Sequence, residues 1–264
     1  MSTITVNISQ GIATITLNRP QSLNAITSAD YAFFAEALRD IDKREDVYVT
    51  IWQATGNWFC SGTDVKESLT ARAEAKTVRE QFLAMITRTT TDCGQALYSH
   101  RKVLIAALNG PVLAFLGYFD FIYCMPNAWL AVPFTFLGII AEGGSSVSFV
   151  NRMGLAKANE VLLWGRKKNA EELLQCGFIN HIFPQQEVSS FHAAVRAKVL
   201  DHIDGLDPTA LLTVKRLLRQ GLNDKNDPDA VNLRESYAQA ERFASGIPAE
   251  RFQKIARKEI KHKL

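Results

Sequence analysis

The chain has 264 residues, enough for one large domain or two small ones, and a composition of 47% hydrophobic and 22% charged residues supplies a sizeable core. A net charge of +3, with Lys and Arg scattered until the tail, gives no basic patch for nucleic acid. No apolar run reaches the roughly 18 residues of a membrane-spanning helix; the nearest, 104–124, is broken by Asn109, Gly110, Pro111, Gly117 and Asp120.

In chain order, "ITVNI" and "GIATITLNRP" alternate apolar and polar residues about a Gly turn and predict a β-hairpin. "SADYAFFAEALRDIDKRED" has helical spacing, with Ser28 as its expected N-cap. "VYVTIWQA" and "KVLIAALNG" predict buried strands, and "FDFIYCM" and "AWLAV" shorter ones. Segment 66–97 is polar, Thr-rich and loosely periodic; it reads as a surface helix, with a mobile segment over a site as the alternative. Past residue 145 the pattern turns helical. "AKANEVLLWG" comes first, then "NAEELLQCG", with Asn169 as cap and Gly177 as stop. "FHAAVRAKVLDHI" follows, then "DPTALLTVKRLLRQG" with Asp207 as cap and Pro208 in the first turn. Two more helices are expected near 228–245 and 248–262. Strands alternating with helices early, and helices alone late, imply an α/β core with a helical C-terminal extension.

Cys60, Cys93, Cys124 and Cys176 lie more than thirty residues apart, without metal-type pairs and without a secretory signal ahead of them. They are expected to be reduced thiols packed in an intracellular protein. The five histidines are dispersed, so no metal site is expected. The start, "MSTITVNISQ", lacks the arginines and basic face of a mitochondrial leader.

One carboxylate stands out. In "GIIAEGGSSVSF" (138–149), Glu142 follows a stretch, 129–141, with no charged residue. An ionisable group there costs several kcal/mol unless it is paired or used. Two readings compete: an N-cap carboxylate without chemistry, or a proton carrier. Two loops accompany it. In "FCSGTDVKE" (59–67), Ser61 and Gly62 let a ligand approach the backbone, and Asp64 can begin a helix. In "LNGPVLAFLGYF" (108–119), a strand runs into Asn-Gly-Pro and exposes backbone N–H groups. Each loop alone reads as an ordinary turn. The glycine-rich nucleotide and phosphate loops and the hydrolase elbow are absent.

"LNRPQSLNAI", "SGTDVKE", "LNGPVLAFLG" and "EGGSSVSF" stand in the order and spacing of the crotonase (enoyl-CoA hydratase/isomerase) superfamily, which the chain resembles over essentially its whole length. "VPFTFLGIIAEGGSSVS" and the basic tail are most similar to the fungal peroxisomal Δ3,Δ2-enoyl-CoA isomerases. The resemblance implies an α/β fold: a spiral of ββα units over 1–200 carrying an acyl-CoA site, then a helical trimerisation region over 201–264. A homotrimer or hexamer is expected, with coenzyme A as part of the substrate and no further cofactor. It also implies an oxyanion hole from the backbone N–H groups of Thr63 and Phe115, where the family commonly has Ala or Gly. The substrate-binding set is Ser61, Gly62, Thr63, Asp64, Val65 and Phe115.

The two glutamates of the hydratases fall on Tyr118 and Phe134, neither of which is a carboxylate base, so hydration is disfavoured. Glu142 stands where the isomerases place theirs. One carboxylate that takes a proton from C2 and returns it at C4 moves a double bond in two steps. Apolar surroundings are expected to raise its pKa, and a helix N-terminus at Gly143-Gly144 to hold it ionised. Asp120 is read as buried and satisfied, Asp64 as a helix cap, and Lys66 and Arg19 as candidates for the coenzyme A phosphates. The alternatives are another crotonase reaction (dienoyl-CoA isomerisation with Asp120 as second acid, thioester hydrolysis, a secondary-metabolite step) or an inert acyl-CoA-binding subunit. The ending His262-Lys263-Leu264 resembles the peroxisomal address, implying an import receptor as partner and a peroxisomal location.

Overall fold

The computed structural model describes residues 3–64, 77, 79, 80, 86, 87, 90–113 and 116–261. A six-stranded sheet in the order β1-β2-β3-β4-β5-β8 organises the chain. β1 (Ile4–Ser9) and β2 (Ile12–Leu17) form the expected antiparallel hairpin. β2, β3 (Val49–Ala54), β4 (Val103–Leu108), β5 (Phe121–Cys124) and β8 (His181–Ile182) run parallel. β4, "VLIAAL", is buried at every position, the continuous apolar run of a parallel strand covered on both faces. β1 carries its polar residues outward, as an edge strand does.

The period-2 alternation splits the core in two. Ile15, Trp52, Leu104 and Ala106 face α1 (Ser28–Lys43), and Trp52 packs on Phe34, Phe59 and Phe119 with ring centroids 4.7, 4.8 and 5.6 Å away. Ile12, Val49, Ile51, Val103 and Ile105 face the other way, toward Phe191, Val195 and Val199 of the helix Val188–Ile203. Above the C-terminal ends of the strands, isolated parallel bridges join Ile26 to Thr63, Cys60 to Val112, and Val112 to Leu130. They hold three loops side by side.

Among the described residues the other α-helices are α2 (Asp92–Ser99), α3 (Phe134–Leu137), α4 (Ser145–Leu162), α5 (Ala170–Gln175), α6 (Val188–Ile203), α7 (Pro208–Asn223), α8 (Pro228–Ala244) and α9 (Ile247–Ala256). A short antiparallel pair, β6 (Trp129–Leu130) with β7 (Lys168–Asn169), completes the strands among the described residues. Asn169 and Asp207 cap α5 and α7 as expected, and Gly177 turns the chain at φ +78°. Three expectations change. The cap of α1 is Thr27, not Ser28: Asp30 lies three residues after Thr27 and closes a reciprocal capping box with it. The last helix ends at Ala256 rather than 262, and Lys258 turns left-handed at φ +61°. Within 66–97, α2 is a helix packed against α1 and α8; residues 65–76 lie outside the described residues. The position-200 boundary falls inside α6, and the chain turns at Gly205.

All four cysteines are free thiols; Cys60, Cys93 and Cys124 are buried, and burial pushes Cys60 and Cys124 up to about 12. No helix among the described residues is long and apolar enough to cross a membrane.

Gly110 sets how closely the loops approach. A Cβ there would lie 2.1 Å from the Asn57 carbonyl oxygen, which is backbone and has no rotamer to yield. Gly110→Ala is therefore expected to destabilise the fold by about 3 kcal/mol, the upper end of ordinary overpacking. A urea midpoint within error of wild type would show that the two loops are free to separate.

Candidate active site

The first wall is built from three loops. Ser61 N–H donates to Leu23 O at 3.0 Å, Ile26 N–H to Gly62 O at 2.9 Å, and Asp64 N–H back to Ile26 O at 2.9 Å. The Leu113 N–H donates to Cys60 O at 2.8 Å. Gly62 has φ +88°, and a Cβ on it would come 3.2 Å from Leu113 O. Arg19 closes the wall from behind: it donates to Ala25 O at 2.7 Å and to the Asp64 carboxylate at 3.0 Å. Asn24 donates to Thr55 O and Trp58 O, both at 2.8 Å.

This stitching leaves the Thr63 N–H without an acceptor among the described residues, on an exposed residue at the rim. A rigid, unpaired backbone donor is the element an oxyanion needs. The Thr63 hydroxyl is 2.8 Å from the Tyr31 hydroxyl. Burial pushes the Tyr31 phenol well above its ordinary value, the Thr63 bond offsets part of that, and the charges of Cys60 and Glu142 add to it. Thr63 and Glu142 thus share one electrostatic neighbourhood. Phe115, Val65 and Lys66 lie outside the described residues, so the second donor, one lining residue and one phosphate candidate are not placed.

The opposite wall is the loop from Gly138 to Ser146. Gly143 and Gly144 both take positive φ, +61° and +75°, and α4 starts at Ser145. The carboxylate on this helix N-terminus is not Glu142. Glu235, from α8, accepts from Gly144 N–H at 2.6 Å, from Ser146 N–H at 3.0 Å, and from the Ser146 hydroxyl. Glu142 accepts instead from the Gln239 side-chain amide at 2.7 Å through Oε2. The expectation that the helix end holds Glu142 ionised is overturned, because a carboxylate 91 residues away fills that position.

Glu142 keeps part of its surface exposed, but its carboxyl sits deep enough for desolvation to dominate its titration. Burial raises it from 4.5 to about 7; the Gln239 bond lowers it, and the Glu235 charge raises it again. A carboxyl poised near neutrality takes and gives a proton with little driving force either way, the condition for a base that must also act as acid.

The other expected residues separate clearly. Asp120 is satisfied, as read: Lys215 and Arg219 each reach it at 2.8 Å, and Leu104 N–H donates to it at 2.7 Å. Burial pushes Asp120 up, but the two cations outweigh it and its pKa is lowered. Arg19 is not free for a phosphate, since it is committed to Ala25 and Asp64. Asp64 is that ion-pair partner; the segment it was expected to begin as a helix lies outside the described residues. Tyr118 is buried, and its hydroxyl occupies the place a Gly144 side chain would fill, a Cβ there meeting it at 1.8 Å. Phe134 opens α3 and packs on the core. Among the described residues no three His, Cys, Asp or Glu side chains are grouped to hold a metal.

The sequence pattern of the enoyl-CoA hydratase/isomerase family matches residues 7–253. The chain belongs to that family. A Delta(3,5)-Delta(2,4)-dienoyl-CoA isomerase of Pyricularia oryzae is 36% identical to it, with 98% of each chain covered. A 3,2-trans-enoyl-CoA isomerase of Saccharomyces cerevisiae is 30% identical over 95% of this chain and 92% of its own. The crystal structure of an enoyl-CoA hydratase/isomerase from Pseudoalteromonas atlantica superposes with a TM-score of 0.83 at 25% identity, each chain covered completely. The crotonase-type α/β architecture expected from the motifs is the one observed.

Within this family fold, Glu235 and Gln239 are the residues packed around Glu142 and the start of α4 that motif reading missed. A weak signal existed. Asn232, Glu235 and Gln239 occupy one face of α8, at spacings of three and four, where a packed helix ordinarily presents apolar side chains. All three are buried.

The raised Glu142 carboxyl has a stability consequence. Folded protein holds a proton there that the unfolded chain releases between pH 4.5 and about 7, so stability falls as pH rises through that window. Glu142→Gln removes the titration. Relative to wild type the variant is expected to gain roughly 1–3 kcal/mol between pH 4.5 and 8. Urea unfolding at both pH values measures the gap; a gap independent of pH would return Glu142 to an ordinary carboxyl.

Proposed function

We propose that this family member is an enoyl-CoA isomerase that converts 3-enoyl-CoA to trans-2-enoyl-CoA in the β-oxidation of unsaturated fatty acids, with Glu142 as base and then acid. The observation that carries the reading is the division of labour at the start of α4. Glu235 takes the helix N-terminus, and Glu142 is left with a neutral partner and a pKa near 7. In the reaction, Glu142 accepts the proton from C2. The electron pair of the broken C2–H bond forms the C1=C2 bond of a dienolate that keeps its C3=C4 bond, while the C1=O pair moves to the thioester oxygen. The Thr63 N–H, with Phe115 as the family-implied second donor, meets that charge. The carbonyl then re-forms, the C1=C2 pair shifts to C2=C3, and the C3=C4 pair takes the proton from Glu142 at C4. Substrate and product have the same composition, so no co-reactant is needed. One oxyanion donor is worth about 10²–10³ in rate.

Dienoyl-CoA isomerisation is the second reading, favoured by the likeness to the Pyricularia oryzae protein. It asks for a second acid beside the acyl chain. Asp120 is neutralised by Lys215 and Arg219, and Glu235 spends both oxygens on α4, which favours the single-carboxylate reaction. The expected trimer or hexamer is supported by Val214, Leu217 and Leu218 of α7, each more than half exposed on the C-terminal region. Peroxisomal import through His262-Lys263-Leu264 belongs to the same proposal; those residues lie outside the described ones.

Purified protein is expected to turn over 3-hexenoyl-CoA faster than a 3,5-dienoyl-CoA, and to form no 3-hydroxyacyl-CoA from 2-enoyl-CoA. Glu142→Gln should lower kcat by about 10²–10⁴ with acyl-CoA binding intact. More than a tenth of wild-type turnover in that variant removes Glu142 from the mechanism, and no turnover by wild type leaves an acyl-CoA-binding subunit.

A further inference from the structure

Gln239 is a fully buried polar group beside Glu142, with 1% of its surface exposed. Both ends of its amide are used. Nε2 donates to Glu142 Oε2 at 2.7 Å, and Oε1 accepts from the Ile140 N–H at 3.2 Å. The two bonds fix the orientation of the amide: turned over, it would set N–H against N–H and oxygen against carboxylate oxygen. Its helix is held in turn by Glu235 on Gly144 and Ser146, by Arg242 on Gly138 O at 3.0 Å, and by Asn232 on Thr91 O at 2.8 Å. Glu142 Oε1, by contrast, has no hydrogen-bond partner among the described residues.

We propose that Gln239 is a positioning residue for the isomerisation: its amide pins Oε2 of Glu142 and so presents Oε1 as the oxygen that carries the proton between C2 and C4. The inference rests on Glu142 being the base. It makes α8, from the C-terminal helical region, part of the active site. A suprafacial transfer by one carboxylate oxygen needs that oxygen to sweep between two carbons while its partner oxygen stays put. A fixed neutral donor does this without quenching the base, whereas a cation there would hold the carboxylate ionised. Among the described residues, the charged and titratable groups facing this carboxyl are Glu235 of α8 and Tyr31 of α1.

Two variants test the proposal. Gln239→Leu removes both bonds; Gln239→Glu keeps the shape and the Ile140 bond but replaces the donor with a second acid. Each is expected to lower kcat on 3-hexenoyl-CoA by about 10–100-fold, the cost of a misplaced catalytic group, with KM within about 2-fold. The acid limb of the kcat–pH profile should move to higher pH, further for Gln239→Glu, because the donor that favours ionised Glu142 is gone. Lower melting temperature with unchanged kcat and unchanged acid limb would make Gln239 a structural residue and overturn the proposal. The carboxyl infrared band of Glu142, assigned by its loss in Glu142→Gln, is titrated in parallel without substrate. If wild type does not turn over 3-enoyl-CoA, the isomerase reading fails by itself. An infrared titration identical in wild type and both variants defeats the role of Gln239 whatever the turnover.

Discussion

The contact on which the site depends is the Glu235 carboxylate at the N-terminus of α4. A helix start presents unpaired N–H groups and a partial positive charge, and an anion settles there readily. Glu142 lies two residues before the N-cap Gly144 and is the nearest acid in sequence. Had it taken the position, three hydrogen bonds to its ionised form would have opposed the burial that raises it, as they do at Glu235, and both its oxygens would have been occupied. Glu235 reaches in from α8 and satisfies Gly144 and Ser146 instead. Gly144 makes the approach possible, since any side chain there would collide with the Tyr118 hydroxyl. The same interaction fastens the C-terminal helices to the sheet-bearing part of the chain, so the site and the helical region are one construction.

The facing wall works by the opposite strategy. Around Thr63 nearly every polar group is matched, by the three interlocked backbone bonds among Leu23, Ile26, Ser61, Gly62 and Asp64 and by Arg19 and Asn24 behind them. The Arg19–Asp64 pair is largely buried, and breaking one side of such a pair costs more than the pair contributes, because a charge is left unmatched. That makes the loop stiff. Stiffness is what a backbone donor requires, since its value lies in not having to reorganise as charge develops on a thioester oxygen.

Much of this was legible in the sequence, and the parts that were not share a cause. Hairpin, central strands and C-terminal helices follow from period and composition, because burial on one or both faces writes itself into local order. β7 and β8, two residues each, are too short to carry a period and exist through pairing with β6 and β5. Thr27 rather than Ser28 caps α1 because the acid at the third helical position decides between two good caps. Arg19 looked like a phosphate ligand and Glu142 like a helix-stabilised base, yet their true partners are Asp64, 45 residues on, and Gln239, 97 residues on. Local pattern fixes which residues are buried; it does not say which distant group meets them there.

Four carboxylates near the sheet's end show why one of them is suited to proton transfer. Asp64 faces Arg19, Asp120 faces Lys215 and Arg219, and Glu235 faces the N-terminus of α4. Asp64 and Asp120 have cationic partners, and Glu235 has the N–H groups of the helix end, which oppose but do not overcome the burial that raises it. Glu142 has one side-chain amide as its hydrogen-bond donor and no cation beside it, with a second carboxylate, Glu235, close enough to raise it further. Burial raises Asp120 too, and its two cations reverse the outcome, whereas at Glu142 a single neutral donor does not. The cations therefore set Asp120 apart from Glu142 and Glu235, the two acids that burial leaves raised. Of those two, Glu142 is the one with an oxygen, Oε1, that has no hydrogen-bond partner among the described residues. In this fold α8 supplies both partners, an acid to the helix and an amide to Glu142.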